Sequence, residues 1–289
     1  MSESVIIGVD HGSAAMKTAH FSFHTGLVAH EHEPYTLNNV LEYGGKYYVV
    51  GSGRQPLQKD KTQTEDYYLL TLAAIAKELE YRNAGTVADV HLAAGLPLTS
   101  FGRDKKAFWD YLCRDGKPVS FRFEGQDYAI TISKVSLYPQ GYAAVLTQSG
   151  LLNEPSIIVA DIGGWTVDLM RLDNRIPNAA TCRSLELGMI RCLDEISEQI
   201  RRSLDLSMTA AQIESVLRSD TSHVNEDAKK IIHLEAERYT KRLLSAIAES
   251  GLDVRAMPAV FLAAVRRCSS ATFLPQMGCA GPSFWMTFP

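Results

Sequence analysis

The chain opens with blocks of hydrophobic and polar positions that predict two strands joined by a short turn. SVIIGVD (4–10) is an almost unbroken apolar run of the kind found in buried strands, residues 11–15 form a turn of mostly small residues, and MKTAHFSF (16–23) predicts a second strand. These blocks therefore predict an opening hairpin. Further strands are predicted over 46–52, 88–97 and 127–138, and helices over 66–85, 103–112 and 139–150.

The second half of the chain repeats this opening pattern. SIIVADIGG (156–164) is an apolar run that ends in aspartate and glycine, and WTVDLMRL (165–172) predicts the strand that leaves the turn. Apolar residues at helical spacing then predict two amphipathic helices, marked by Leu193, Ile196, Ile200 and Leu204 and by Ile232, Ala236, Tyr239, Leu243 and Ile247. Between these helices Thr209 and Gln212 form a predicted capping box.

Together these patterns predict an α/β protein of two related domains. A strand over Ala259–Leu262 closes the second half. We place the first domain at residues 1–150, the second at 151–262, and an aberrant or divergent tail at 263–289. With 289 residues, of which 46% are hydrophobic, the chain is long enough for two domains and a sizeable core.

Charge and cysteine content narrow the classes of protein. A formal net charge of -4 argues against an extended basic surface that binds nucleic acid directly. The five cysteines form no CxxC pair and no regular framework, which indicates reduced thiols and a cytoplasmic protein. No apolar run is long enough to cross a bilayer, so we expect no membrane partner.

The repeated turn carries the candidate chemistry. In each half an apolar strand delivers an aspartate, Asp10 or Asp161, into a turn of small residues. Small side chains let backbone N–H groups approach phosphate oxygens, and an aspartate at a strand end can hold Mg2+ through water. Two such turns facing each other would clamp the phosphates of a nucleotide, with Lys17 in reach as a positive charge and Thr166 adding a hydroxyl.

A structural explanation of the turn competes with this interpretation. A single Asp-x-Gly sequence between two strands is usually only a hairpin turn, whereas two copies in matched contexts favour a phosphate site. The order of elements also differs from that of a GxxxxGK loop or a GxGxxG fingerprint, because here the turn joins two strands and no helix follows it directly.

These motifs carry a resemblance to a known superfamily. GVDHGSAAMKTA (8–19) and VADIGGWTVDLMRL (159–172) resemble the two phosphate loops of the actin, sugar kinase and heat-shock chaperone ATPases, and PQGYAAV (139–145) resembles their first connecting segment. The resemblance implies an α/β, actin-like ATPase fold of two related ribonuclease H-like domains around a nucleotide cleft, incomplete at its C-terminal end. Within this superfamily the chain most resembles the bacterial ParM/StbA branch, whose members are plasmid segregation proteins. This resemblance is carried by the segments AAGLP (93–97), YPQGYAA (138–144) and LELGM (185–189).

The resemblance also implies a role for each matching residue. Asp10 and Asp161 would organise the Mg2+ site, and Lys17 would touch the phosphate tail of ATP. Gln140 matches the residue that orients the attacking water, although its position alone also fits an exposed glutamine at a helix start. Gly188 matches a turn near the nucleotide, which a plain turn before a helix explains almost as well. The phosphates would be lined by Gly12, Ser13, Ala14, Gly163, Gly164 and Thr166.

The tail departs from what this superfamily leads us to expect. The strand Ala259–Leu262 should run into a glycine-rich turn beside the adenosine, yet two alanines and a valine follow it, and residues 263–289 contain no Asp, Glu or Lys. Read one nucleotide earlier, those three codons can encode three glycines, and Phe284–Thr287 must encode Leu-Asp-Asp because Trp285 and Met286 have single codons. We therefore hypothesise that the reading frame shifts near Leu262, with a genuine divergent terminus as the alternative.

Three functions stay open on the sequence. The leading one is an actin-like ATPase that assembles into filaments with ATP and segregates plasmid DNA through a DNA-bound adaptor protein, with no direct nucleic acid binding. A non-catalytic nucleotide-binding scaffold fits the altered turn after Leu262, since alanine and valine there would weaken ATP binding. A small-molecule kinase would need a second polar cluster for an acceptor hydroxyl, which the sequence does not identify.

Overall fold

The protein is described by a computed structural model over residues 4–36, 38–53, 60–142, 145, 154–218, 224–263 and 284–287. It divides into two compact units, Met1–Gln140 and Gly141–Pro289, and each unit contains one sheet. The predicted domain boundary between residues 150 and 151 lies outside the described residues. Most of the tail 263–289 and of the predicted helix 139–150 also lies outside them.

The first unit is built on a nine-stranded sheet in the order β3-β2-β1-β7-β9-β8-β5-β6-β4. Its centre is parallel, because β7 pairs in parallel with both β1 and β9. The helices of this unit are α1 (Asp66–Tyr81) and α2 (Leu98–Cys113), followed by a 3-10 turn (Arg114–Gly116). The strands are β1 (Val5–His11), β2 (Ala15–Lys17), β3 (Ser22–His24), β4 (Leu27–His30), β5 (Val40–Tyr43), β6 (Lys46–Val50), β7 (Val87–Leu96), β8 (Pro118–Phe123) and β9 (Gln126–Pro139).

The core of the first unit joins the central strands to both helices. Ile7 of β1, Leu72 of α1 and Leu92 of β7 are fully buried in one cluster, which Phe108 of α2 completes at 1% exposure. Helix α1 is apolar around most of its circumference. This is expected for a helix that is buried on several sides, in contrast to a surface helix that packs through one face. The carboxyl ends of β1, β7 and β9 are therefore carried by strands that pack into one buried core.

One strand of the predicted opening hairpin is in fact two strands. The sequence pattern predicted a continuous strand over 16–23, but a turn separates β2 from β3. The Thr18 N–H donates to the Phe21 carbonyl at 2.8 Å, and the Thr18 hydroxyl accepts from the Phe21 N–H at 3.0 Å. A threonine that bonds to nearby backbone groups offers the chain an alternative to the strand ladder, and here the turn is formed.

The second unit has a five-stranded sheet in the order β12-β11-β10-β13-β14. Its strands are β10 (Ser156–Ile162), β11 (Val167–Asp173), β12 (Ile176–Leu185), β13 (Ala259–Ala263) and β14 (Phe284–Thr287). Its described helices are α3 (Met189–Leu204), α4 (Ala210–Leu217) and α5 (Glu226–Glu249). The predicted capping box is confirmed at the start of α4, where the Thr209 hydroxyl accepts from the Gln212 N–H and the Gln212 side chain accepts from the Thr209 N–H.

The internal repeat predicted from the sequence is confirmed by the topology. In the first sheet β3-β2-β1-β7-β9, and in the second β12-β11-β10-β13-β14, an antiparallel meander of three strands is followed by two parallel strands. The register repeats too, because Asp10 pairs with Lys17 and Asp161 pairs with Asp168. No strand was predicted over Phe284–Thr287, and β14 holds the position that β9 holds in the first unit.

Candidate functional site

The first candidate phosphate loop is the turn between β1 and β2. Antiparallel pairing sets Asp10 directly opposite Lys17, and the Lys17 ammonium lies 3.5 Å from the Asp10 carboxylate. The Asp10 side chain is 41% exposed and that of Lys17 is 18% exposed. An ion pair this accessible contributes little to stability, so both charges remain available to a ligand.

The loop itself is closed by short contacts to its backbone. A side chain on Gly12 would place its Cβ 2.4 Å from the Ala15 carbonyl oxygen, so the turn requires glycine there. Thr25, which is 3% exposed, donates its hydroxyl to the Gly12 carbonyl at 2.7 Å and its N–H to the Ala14 carbonyl at 3.0 Å. Ser13 lies between these two tied residues. These two hydrogen bonds point the Gly12 and Ala14 carbonyls towards Thr25 and restrain the backbone of the loop.

A buried layer lies beneath the first loop. His11 is fully buried, and its Nε2 lies 2.8 Å from the Thr71 hydroxyl. The Thr71 hydroxyl donates a hydrogen bond to the Tyr67 carbonyl at 2.6 Å. In its bond with His11 the hydroxyl must therefore accept, and the His11 Nε2 must be the protonated nitrogen. Lys61 donates to the His11 carbonyl and lies 5.4 Å from the Tyr67 ring centre. Burial, and next the positive charge of Lys61, lower the pKa of His11 to about 3.

We expect this histidine to make stability fall with acidification. Its folded-state pKa is lowered from 6.5, so the unfolded chain binds a proton between pH 6.5 and about 3 that the folded chain excludes. The stabilising contribution is complete above pH 6.5 and is lost as pH falls towards 3. Between pH 7 and pH 5 the free energy of unfolding should drop by about 2 kcal/mol on account of His11.

Chemical denaturation at the two pH values measures this drop. His11→Gln should remove most of it, because glutamine has no proton to gain in this range, whereas His24→Gln at an exposed position should leave it unchanged. An equal pH dependence in the His11→Gln variant and the unmodified chain would contradict the assignment.

Gln140 lies at the same edge of the first unit. Its N–H donates to the Leu96 carbonyl at 2.7 Å, and its Nε2 donates to the Asp10 carboxylate. Gln140 is thus partly buried and hydrogen-bonded through both its backbone and its side chain, unlike the solvent-exposed glutamine of the alternative explanation. The structure thus brings Gln140 together with Asp10 and Lys17 of the first loop, which lie in a different sequence motif.

The second candidate phosphate loop joins β10 and β11. Asp161 is the next-to-last residue of β10, and the Gly163 N–H donates to the Thr166 carbonyl at 2.8 Å. The start of helix α3 holds the loop from behind, because the N–H groups of Met189 and Ile190 donate to the carbonyls of Gly163 and Gly164 at 3.0 and 2.8 Å. Helix N-terminal donors that usually lack intrahelical partners are used here to fix the loop.

Gly188 supports the second loop directly. A Cβ at this position would lie 2.3 Å from the Gly164 carbonyl oxygen and 2.4 Å from the Trp165 carbonyl carbon. Its N–H donates to the Trp165 carbonyl, and its own carbonyl accepts from the Tyr239 hydroxyl, each at 3.0 Å. The structure therefore places Gly188 against the loop backbone, as part of its support.

Several residues at these loops carried no motif in the sequence. Thr25 and Lys61 belong to polar segments outside the quoted motifs, and Tyr239 was predicted only as a core position of a helix. Each donates from its side chain to a backbone carbonyl, and Thr25 also donates its N–H to a second one. Such bonds depend on where distant segments meet, so only the folded chain shows them.

Comparison with known proteins identifies the fold. Residues 8–142 match the family model described as actin-like proteins, N-terminal domain. The crystal structure of Ta0583, an archaeal actin homologue, is similar with a TM-score of 0.76 at 17% identity, over 98% of this chain and 93% of that chain. Its complex with ADP is similar with a TM-score of 0.71 at 20% identity, over 90% and 86% of the two chains.

A filament-forming protein is similar to the same extent. The structure of a 15-stranded ParM filament from Clostridium botulinum has a TM-score of 0.73 at 16% identity, over 99% of this chain and 95% of that chain. No curated protein matches the chain significantly. These likenesses confirm the predicted actin-like ATPase fold and the resemblance to ParM. Among the described helices, none is both long and apolar enough to span a membrane.

Proposed function

We propose that the protein is an ATP-dependent filament protein, because residues 8–142 match the actin-like N-terminal family model and the chain has the actin-like ATPase fold. It binds ATP with Mg2+, assembles into filaments, hydrolyses the γ-phosphate, and segregates plasmid DNA through a DNA-bound adaptor. The observation that carries this proposal is the hydrogen bond from Gln140 to Asp10 beside the first loop.

Phosphate binding is assigned to the two loops. The first loop offers the backbone N–H groups of Gly12, Ser13 and Ala14 to phosphate oxygens. Hydrogen bonds from Thr25 to the carbonyls of Gly12 and Ala14 restrain this loop. Lys17 adds a positive charge at the strand that leaves this turn. In the second unit Gly163, Gly164 and Thr166 form the equivalent turn, which the start of α3 fixes.

Water activation is assigned to Gln140. A side-chain amide has both a donor and an acceptor, and the bond to Asp10 occupies only the donor side. The amide oxygen is then free of that bond and oriented by it, so it can accept a hydrogen bond from an attacking water. Anchoring of the Gln140 backbone on Leu96 limits the positions that the amide can take.

The aspartates suit a hydrated Mg2+ ion. Asp10 and Asp161 are each the next-to-last residue of a largely apolar strand, are partly exposed, and supply the carboxylate oxygens that Mg2+ prefers. When bound, the ion would neutralise part of the charge on the phosphate oxygens. Asp10 is already held in place by Gln140 and Lys17, which prepares one carboxylate for that role.

Removing the Lys17 charge tests the phosphate assignment. We expect Lys17→Met to weaken ATP binding about tenfold, or ~1.4 kcal/mol, and to leave AMP binding unchanged, because the lysine is assigned to the β- and γ-phosphates. Calorimetric titration with each nucleotide in Mg2+ buffer measures both affinities. Lys46→Met, at an exposed lysine of β6, is the matched control. Equal losses for ATP and AMP, or none, would count against the assignment.

The proposal of self-association is supported by a similar structure, and that of a DNA-bound adaptor by the sequence resemblance to ParM/StbA proteins. ParM of Clostridium botulinum forms a filament, and its fold is shared by this chain. The net charge of -4 favours binding of an adaptor protein over direct binding of DNA.

A nucleotide-binding scaffold without hydrolysis is the second candidate. Strand β13 runs beside β10 in parallel, with Leu262 in register with Asp161 and Ala263 with Ile162. Ala263 therefore lies in β13 beside the end of β10. In the sequence, two alanines and a valine follow Leu262, where the family resemblance leads us to expect glycines. The scaffold function predicts nucleotide binding with no phosphate release even when that turn is restored.

A further inference from the structure

Three adjacent strands place Gly95 between Gln140 and Asp10. In the first sheet β7 lies between β1 and β9. Val9 of β1 pairs with Ala94 of β7, so Asp10 and Gly95 lie one residue further along these two strands. On its other side Gly95 pairs with Tyr138 of β9. Gln140 follows the end of β9, and the spacing of neighbouring strands puts β9 about 9–10 Å from β1. To reach Asp10, its side chain must pass over β7.

The structure shows that this path runs directly over Gly95. A Cβ built on Gly95 would lie 2.7 Å from Gln140 Cγ, 3.4 Å from its Cδ and 3.3 Å from its Nε2. Three successive atoms of the glutamine side chain therefore lie where a side chain at position 95 would begin. Any residue except glycine would occupy the space that the Gln140 amide crosses on its way to Asp10.

We propose that Gly95 is a positioning residue: its missing side chain lets Gln140 cross β7 and place its amide on Asp10. Its place in catalysis rests on the proposed role of Gln140 in ATP hydrolysis, whereas the contact itself does not. The assignment also gives the glycine of AAGLP (93–97) a physical reason.

Gly95→Ala is a clean substitution for testing this. Gly95 has no positive φ, so alanine can adopt its backbone conformation without strain. The clashing atoms belong to a flexible side chain, so the added methyl should displace Gln140 and leave the fold intact. Gly8→Ala is the matched control, because Gly8 lies in β1 and a Cβ there would meet nothing within 4 Å.

The first readout needs no nucleotide and uses the full chain as it is. With glutamine labelled with ¹⁵N, the side-chain amide signal of Gln140 is identified by its loss in Gln140→Ala. In Gly95→Ala we expect this signal to shift towards that of a solvated amide and its protons to exchange faster, while Gly8→Ala leaves it unchanged. An unshifted Gln140 amide in Gly95→Ala would overturn the proposal.

Thermal unfolding keeps the proposal testable if the alanine destabilises the chain. The double variant Gly95→Ala/Gln140→Ala should have the same Tm as Gln140→Ala alone, because the clash needs both side chains. Additive losses in the double variant would show that the methyl disturbs something else, and would overturn the assignment.

Steady-state phosphate release adds the catalytic readout. We expect Gly95→Ala to lower kcat about 100-fold with KM for ATP unchanged, and the double variant to be no slower than Gln140→Ala alone. If the amide is displaced while kcat stays the same in Gly95→Ala and in Gln140→Ala, the proposed function of Gln140 fails and the positioning by Gly95 stands. If Gln140→Ala is slow and Gly95→Ala is not, the positioning fails.

Discussion

A version of this chain with the earlier reading frame restored after Leu262 is expected to bind ATP about 10–100-fold more tightly than the chain as it stands. In the register of β13 with β10, Leu262 pairs with Asp161 and Ala263 with Ile162, so β13 ends beside the strand that leads into the second loop. The family resemblance implies a glycine-rich turn after this strand, and alanine and valine in its place would hinder close approach of a nucleotide to the backbone. Overpacking by side chains of that size costs about 1–3 kcal/mol, which corresponds to the expected change in affinity.

Calorimetric titration with ATP and Mg2+ compares the two chains. The matched control is the restored chain with its first new glycine replaced by alanine, which should lose most of the gain. Sequencing of the coding DNA gives an independent check on the frame hypothesis. Tight ATP binding by the chain as it stands, or a stop codon soon after Leu262 in the earlier frame, would contradict it.

In the restored chain, Gln140→Ala is expected to lower the rate of ATP hydrolysis about 100-fold while ATP affinity is kept. The reason is that Gln140 reaches Asp10 and the edge of the first loop but is assigned to the water and not to the phosphates. Gln140→Glu should be as slow as Gln140→Ala, because a carboxylate at this position would face the Asp10 carboxylate and be repelled.

Phosphate release under saturating ATP measures these rates. Gln126→Ala, at an exposed glutamine that begins the same strand β9, is the control and should hydrolyse ATP at the unmodified rate. A Gln140→Ala variant with unchanged turnover would remove Gln140 from the mechanism. A parallel loss of ATP affinity would instead assign it to binding.

The secondary structure that forms the two loops could be predicted from local patterns. The apolar runs that end in Asp10 and Asp161 are strands because nearly every residue in them is apolar or small, and the glycines that follow allow tight turns. The interruption at Thr18 was missed, since a hydroxyl that bonds to the backbone three residues away leaves the hydrophobic pattern unchanged. The strand Phe284–Thr287 was missed because nothing in the composition of the tail indicated it.

The contacts that support the site could not be predicted from the sequence. Gln140 was selected by resemblance, but its bond to Asp10 depends on the register of three strands and on the empty space at Gly95. The same holds for Thr25 and Lys61, each of which bonds to a loop carbonyl from a segment with no motif of its own. Local sequence patterns report propensity and burial, whereas these bonds arise from packing between distant segments.

The most direct test of the central claim is right-angle light scattering of the restored chain after addition of ATP and Mg2+, with phosphate release followed in the same sample. An actin-like filament-forming ATPase predicts a rise in scattering that needs ATP, accompanied by phosphate release that Gln140→Ala slows. Absence of both scattering and phosphate release would contradict the account, as would hydrolysis that starts only when a small-molecule acceptor such as a sugar is added.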